Sequence, residues 1–389
     1  MPSVSTLGRR ALVGAACAVA AIAGCGGEGS SPSRGAAVQA PSPATGAPAP
    51  ARSVAVVWGV ERPWRAARRL RRLPEVESAT VAGRGVALLR SAAADGRVVE
   101  RVRAGYAVPL DVLSIHPRAY ARTLPAEDRG AFADLRPGRA VLSQTSAHLR
   151  GVGPGGALEL VGGRRLHVAA VVADAVARQV EVIVSADDPR VRPRDRASVL
   201  AVLRPGASVA PSRLAHRAGR RAAARILEGG LFPSAGPVGP ARPAELKTRF
   251  GEPAVGLPYG DDWVRLDPAF LRRYIVRRRV PILGGVTCHR AMIPPLRAAL
   301  GELRRRGLAR LVDPGDYAGC YAPRRIRPGG ALSLHAWGLA VDLNASANPY
   351  GGRSHQDPRL VRAMRRHGFT WGGDWPTIHD PMHFEFRGS

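Results

Sequence analysis

The sequence predicts an α+β protein with two folded parts behind a short leader and a tether. Three observations lead there. The chain has 389 residues, more than one core usually serves at about 100–200 residues per domain. β-Branched runs alternate with an arginine-rich helical stretch from residue 53 onward. Composition then shifts to Pro, Gly, Ala and Arg near residues 204–245, before a compact final third. The hydrophobic fraction of 45% is that of a globular chain and excludes disorder throughout.

The first 25 residues read as a lipoprotein signal peptide. Arg9 and Arg10 precede an apolar stretch over residues 11–23, too short and too alanine-rich for a membrane span. It ends in Ile22-Ala23-Gly24-Cys25, which resembles the bacterial lipobox, making Cys25 the expected lipidation site. The mature chain is therefore expected outside the cytoplasm, anchored to the cell membrane by acyl chains. Residues 26–52, rich in Pro, Ala, Gly and Ser, read as a flexible linker.

Charge bears on partners. Lys and Arg number 58 against 30 Asp and Glu, net +28, and Lys247 is the only lysine. The arginine, alanine, glycine and proline bias fits a GC-rich coding composition, and equally a surface that attracts polyanions. With export, the expected anionic partners are envelope polymers or lipid headgroups, not nucleic acid.

Residues 53–203 read as an α+β accessory module. Ser53–Val60 is a strand and Pro63 to Leu73 a helix. VESATVA and GVALLRS are two further strands separated by Gly83-Arg84-Gly85, and Gly162-Gly163 marks a tight turn. DVLSIHPRAY, AVLSQTSAHLRGVGPGG and a hairpin ending in HVAAVVAD make residues 110–190 resemble the extracellular domain of MacB-type ABC-transporter permeases. That resemblance implies a binding or positioning module with a protein partner. Residues 204–245, with one helix near Pro211–Leu227, read as the linker to a catalytic domain over 246–389.

The chemistry lies in that last part, in SLHAWGLAVDLN, DPMHFEF and GCYAPRRIR. A catalytic zinc site takes three ligands from His and carboxylate and keeps one position open; His335, Asp342 and His383 supply such a set. Alternation puts Asp342 on the face opposite Leu339, Val341 and Leu343. His383 and Glu385 likewise lie opposite the two phenylalanines, so paired strands would bring Asp342 and His383 together. Asp380 is the candidate acid/base and Arg324 the candidate for the developing oxyanion, with Arg325 as its alternative. Trp337, Trp371 and Trp375 are candidates for the cleft wall or for core packing. Glu385 reads either as an orienting partner of a ligand or as a surface ion pair. His379 is a rival to His383. In an oxidising compartment Cys288 and Cys320 are expected as a disulfide, closing a loop of roughly thirty residues for about 3 kcal/mol.

With WGGDW between them, these motifs resemble the zinc D-alanyl-D-alanine carboxypeptidases and L-alanyl-D-glutamate peptidases. VTCHR and GCYAPR are similar to the VanY branch. The resemblance covers about residues 246–389. It implies a hedgehog/DD-peptidase-like domain with a small antiparallel sheet, Zn2+ as cofactor, and hydrolysis of a peptide bond in peptidoglycan stem peptides. His335, Asp342 and His383 would be the metal ligands, Asp380 the acid/base and Arg324 the arginine near the scissile carbonyl. Tyr321, Ser333, Trp371 and Trp375 would meet substrate. Many relatives have Glu where Asp380 stands, which leaves the bond open between a carboxypeptidase and an endopeptidase. A binding lipoprotein without activity is the third reading.

Overall fold

The computed structural model describes residues 53–188, 196–230, 243–259, 262–326, 330–375 and 379–388. The leader, Cys25 and the tether over 26–52 lie outside the described residues. Among the described residues, no helix is long and apolar enough to cross a membrane.

The N-terminal part opens with β1 (Val54–Trp58), whose β-branched run is buried on both faces because it is a central strand. In α1 (Pro63–Leu70), proline takes the first turn, where no N–H partner is lost. Its Ala66, Ala67 and Leu70 face inward while Arg65, Arg68 and Arg69 face water. β2 (Val76–Ala94) follows, then β3 (Arg97–Arg101), β4 (Tyr106–Ile115), α2 (Pro117–Ala121) and β5 (Arg139–Ser143). Next come α3 (Gln144–Arg150), β6 (Ala157–Leu160), β7 (Arg164–Val172), β8 (Val182–Ser185), β9 (Arg196–Leu203), α4 (Pro211–Ala218) and β10 (Ala223–Leu227).

Two substructures share β2. The first is an antiparallel wing in the order β10-β1-β9-β2, with α1 and α4 packed over it. Its sequence β1-α1-β2 and β9-α4-β10 is the split βαββαβ arrangement. The second is inserted between β2 and β9. There β2-β6-β7-β5-β8-β4 closes on itself through the β2–β4 pairing into a six-stranded barrel. Closure leaves these six strands without a free edge at the seam.

Two expectations are corrected here. VESATVA and GVALLRS are not separate strands but one 19-residue strand, β2. Gly83 pairs with Ser114 of β4 on one side and Ala197 of β9 on the other, so no turn forms. The glycines instead sit where the strand leaves the wing for the barrel, a place where a missing side chain eases the bend. Residues 204–230 are not linker either: α4 and β10 complete the wing, with β10 paired along β1. The short Ala-Ala-Arg-Ile-Leu strand escapes a composition reading because arginine and alanine dominate its surroundings. Residues 231–242 lie outside the described residues. The Gly162-Gly163 turn, by contrast, joins β6 to β7 with both residues at positive φ.

The C-terminal part comprises α5 (Pro243–Phe250), β11 (Val255–Gly256), α6 (Pro268–Tyr274), β12 (Ile275–Val280), β13 (Gly284–His289) and α7 (Ile293–Arg305). β14 (Tyr317–Gly319), α8 (Leu334–Trp337), β15 (Ala340–Leu343), α9 (Pro358–Arg366), β16 (Phe369–Trp371) and β17 (His383–Phe386) complete it. Four strands form an antiparallel sheet in the order β14-β15-β17-β16, and β12 and β13 form a hairpin. Leu296, Leu300 and Leu303 of α7 and Leu360, Val361 and Met364 of α9 recur at helical spacing and enter one core with Val341, Leu343 and Phe384 of the sheet. Cys288 and Cys320 are joined as a disulfide within that core, 32 residues apart.

The two parts meet along α5. Lys247 is buried, its ammonium donating to both carboxylate oxygens of Glu181 at 2.9 and 2.8 Å and to the Pro109 carbonyl at 2.6 Å. Arg150 donates to Glu100 at 2.6 Å and to Glu252. Further along, β11 adds to β4 through Val255–Ala107 and Gly256–Tyr106. Leu246, Phe250 and Val255 on the same segment belong to the C-terminal core.

Candidate metal centre

Two strands and one helical turn build the site. Asp342 of β15 and His383 of β17 are direct cross-strand partners, so both project to one face while Val341 and Phe384 enter the core on the other. His335 arrives on α8, a single turn held at both ends. Ser333 caps its start by accepting the His335 N–H, and Gly338 ends it in the left-handed region at φ 67°. A β-carbon on Gly338 would also lie 2.6 Å from the His289 nitrogen, so only glycine lets α8 approach β13 this closely.

The three donors converge. His335 Nε2 lies 3.1 Å from His383 Nδ1 and 3.1 Å from Asp342 Oδ2, and His383 Nδ1 lies 2.9 Å from Asp342 Oδ1. All three residues are buried. Metal–nitrogen bonds of about 2.0–2.1 Å put neighbouring donors of a tetrahedral site about 3.3 Å apart. The triangle therefore fits one ion with little adjustment.

The surroundings fix which nitrogen points inward. His335 Nδ1 is 2.8 Å from the Cys320 carbonyl, which as an acceptor keeps the proton there and leaves Nε2 with its lone pair. His383 Nε2 is 3.2 Å from Glu385 Oε1, which does the same for Nδ1. Glu385 is buried and held in turn by Arg387, whose Nε is 3.1 Å from Oε2, so its part is orientation and not a surface ion pair.

Charges follow from these contacts. Burial opposes the charge on Asp342, but hydrogen bonds from His335 and His383 prevail and hold its carboxyl well below the usual range. Burial likewise opposes the charged form of His383, yet its bonds to Asp342 and Glu385 push it up to about 10. Glu385 is drawn down to about 2, again against burial, by His383 and Arg387. With His383 protonated, Asp342 and Glu385 balance His383 and Arg387; loss of the His383 proton leaves a net negative charge for a divalent cation.

Asp380 stands beside this group. Burial raises its carboxyl, His383 works against that rise, Asp342 adds to it, and Arg324 lowers it. Its Oδ1 is buried with no hydrogen-bond partner among the described residues. The WGGDW segment shapes this corner. Gly372 accepts the Asp380 N–H at 3.0 Å, and a β-carbon on Gly372 would lie 2.5 Å from the Asp380 carbonyl oxygen. Asp380 in turn accepts the His383 N–H at 3.1 Å, closing the turn that leads into β17.

The remaining candidates divide. Arg324 is half-buried on a strip bridged to Trp263, while Arg325 is buried with its guanidinium 4.8 Å from the Tyr259 ring. Trp375 lies 5.3 Å from the His383 ring, at the site. Trp371 donates to the Pro381 carbonyl at 2.8 Å and stacks on Phe384, bracing the Asp380 turn. Ser333 is buried as the α8 cap, Tyr321 is half-buried against the core, and Trp337 is buried with its N–H directed to the Gly251 carbonyl. His379 is exposed and bonded to the Gly373 carbonyl, away from the donor triangle.

Sequence reading missed three participants. Arg387 has no motif beyond its two-residue offset from Glu385. The Cys320 contribution is a backbone carbonyl, invisible to residue type. Tyr317 on β14 is pushed up to about 12 by burial and by the Asp342 charge, which places its phenol near the site; the bulged pairing of β14 with β15 hides that alignment.

Residues 327–386 match the family model described as D-alanyl-D-alanine carboxypeptidase. The matched stretch contains His335, Asp342, Asp380 and His383, and the C-terminal part is thus similar to a peptidase. Among solved structures, the periplasmic region of MacB from Actinobacillus actinomycetemcomitans is 11% identical, with a TM-score of 0.30, over 46% of this chain and 88% of that one. The extracellular domain of the noncanonic ABC-type transporter YknZ from Gram-positive bacteria is 11% identical, with a TM-score of 0.26, over 45% and 100%. Likenesses this distant carry no argument about function.

Proposed function

We propose that the C-terminal part is a zinc-dependent peptidase acting on peptidoglycan stem peptides, with D-alanyl-D-alanine carboxypeptidase activity. One observation supports this above the rest. Two imidazoles and a carboxylate converge within 3.1 Å of one another beside Asp380, whose buried Oδ1 has no partner among the described residues. A binding lipoprotein has no use for that combination. The four-stranded sheet and its helices suit the hedgehog/DD-peptidase arrangement.

His335, Asp342 and His383 would hold the zinc, which when bound supplies a Lewis acid for water and carbonyl alike. The rest is done by the chain. Cys320 and Glu385 keep both imidazoles in the ligating tautomer. Asp380, raised by burial, accepts a proton from the attacking water and passes it to the departing amine, a role worth about 10²–10⁴-fold. Arg324 lies near enough to influence Asp380 electrostatically, which supports its assignment to negative charge developing on the scissile carbonyl. Lipidation at Cys25 would hold this site outside the membrane, within reach of the wall.

Purified full-length protein incubated with defined muropeptides, with and without chelator, tests the reading by mass spectrometry. Chelator-sensitive release of a terminal D-alanine is expected. Cleavage between L-alanine and D-glutamate would make it an endopeptidase. Intact muropeptides in the presence of stoichiometric zinc would sink the proposal.

A further inference from the structure

The barrel carries a second concave region that the peptidase reading leaves unexplained. A cavity of about 690 Å³ is walled by Arg136, Arg139, Arg164, Arg165 and His167. A second, of about 460 Å³, is walled by Arg90, Arg101 and Glu159. Gly163 of the β6–β7 turn lines both, so the two concavities adjoin at that turn. Acidic neighbours reduce the charge without cancelling it. Arg139 is paired with Asp134 at 2.8 Å, Arg136 shares that aspartate, and Glu159 stands across the strand pair from Arg165. Six arginines line the two hollows with one carboxylate, Glu159, and Asp134 and Asp188 lie beside them, Asp188 accepting the Gly138 N–H at 2.6 Å.

We propose that these two concavities form one binding cleft for a flexible polyanion, a chain of phosphodiester-linked small alcohols. Guanidinium forks match phosphate oxygens two at a time, and the walls carry arginine and no lysine. Two adjoining hollows admit successive phosphates of a chain, whereas a single small anion needs only one. No Phe, Tyr or Trp lines either hollow, so the large stacking platform that single-stranded nucleic acid uses is missing from the lining. Val168 and Leu160 in the lining are buried and Val102 is half-buried, whereas Val98 and Val99 on β3 are exposed, so vesicles of anionic lipid are the competitor that separates a bilayer from a free polymer. The site is independent of the metal centre and of its activity.

Binding of fluorescently labelled poly(glycerol phosphate) to the full-length chain tests this by anisotropy across a salt series. Vesicles containing phosphatidylglycerol, a single-stranded oligonucleotide and polyglutamate of equal charge serve as competitors. Arg101→Gln/Arg165→Gln is expected to weaken polymer binding tenfold or more. The slope of log affinity against log salt should fall by about 0.7 for each arginine lost, as for single-stranded phosphate chains. Arg68→Gln/Arg69→Gln, two exposed arginines on α1, should leave it unchanged. The single variants Arg101→Gln and Arg165→Gln carry the test if the double variant does not fold. Equal loss in the α1 variant, tighter binding of any competitor, or no binding of the polymer would each overturn the assignment.

Discussion

Asp342 and His383 face each other across adjacent antiparallel strands, Oδ1 and Nδ1 2.9 Å apart, with His335 Nε2 3.1 Å from each residue. This triangle depends on register. A one-residue slip of β17 against β15 would send His383 into the core and Phe384 to the polar face. Val341, Leu343, Phe384 and Phe386 in the core oppose that slip, so apolar burial fixes the polar site.

Asp380 is predicted to separate metal holding from turnover. It is outside the donor triangle, yet its carboxyl feels the charges of His383, Asp342 and His335, and its Oδ1 has no hydrogen-bond partner among the described residues. Asp380→Ala should keep stoichiometric zinc by elemental analysis and lose about 10²–10⁴-fold in muropeptide turnover. Full activity would remove Asp380 from the chemistry, and loss of the metal would make it structural.

Gly372 is predicted to act through contact alone. A methyl there would strike the Asp380 carbonyl at 2.5 Å and crowd the Asp380 and His383 β-carbons at 3.1 and 3.2 Å. Gly372→Ala should cost about 1–3 kcal/mol, as overpacking does, and reduce turnover more than the lost stability explains. Thermal melts paired with kinetics below the transition check this; unchanged kinetics would show that the turn can yield.

The metal-free protein should show a pH signature. The His383 pKa stands above its unfolded value of about 6.5, so its stabilisation is complete below about pH 6.5 and lost as pH rises toward about 10. Asp342 and Glu385 are shifted downward, so their stabilisation is complete above about pH 4.5 and lost as pH falls through the acid range. Melting temperature in chelator should therefore peak between about pH 5 and 6.5. His383→Gln should remove the alkaline decline. An unchanged alkaline limb in that variant would assign it elsewhere. Metal binding must displace the His383 proton, so affinity should tighten as pH rises.

How much of this was legible in the sequence depends on range. Alternation around Asp342 and His383 placed both on one strand face, because a period of two needs only local information. The same local reading split β2 at Gly83, since glycines in series resemble a turn when the partners on either side are unseen. The six-stranded closure was equally out of reach: the β2–β4 seam joins Ala82 to Ile115 and Leu89 to Val108, a pairing that no local pattern announces. Within the site, residue types could nominate His335, but the carbonyl that fixes its tautomer belongs to Cys320 and carries no side-chain signal.

The only lysine of the chain makes the last prediction. Lys247 on α5 is 3% exposed and bonds both oxygens of Glu181, itself fully buried in the barrel part. Lys247→Met preserves length and removes the charge. It leaves Glu181 with Arg150 at 3.6 Å and the Asp111 N–H at 2.9 Å as its remaining partners. Breaking a buried pair from one side costs about 3–5 kcal/mol, whereas removing both charges together costs less. Lys247→Met should therefore destabilise more than Lys247→Met/Glu181→Gln, a difference that chemical denaturation can read. Because α5 also feeds Leu246 and Phe250 into the C-terminal core, the single variant should lower the melting of both parts together. Two separate transitions, with the C-terminal one unmoved, would show that this ionic cluster stabilises the barrel alone.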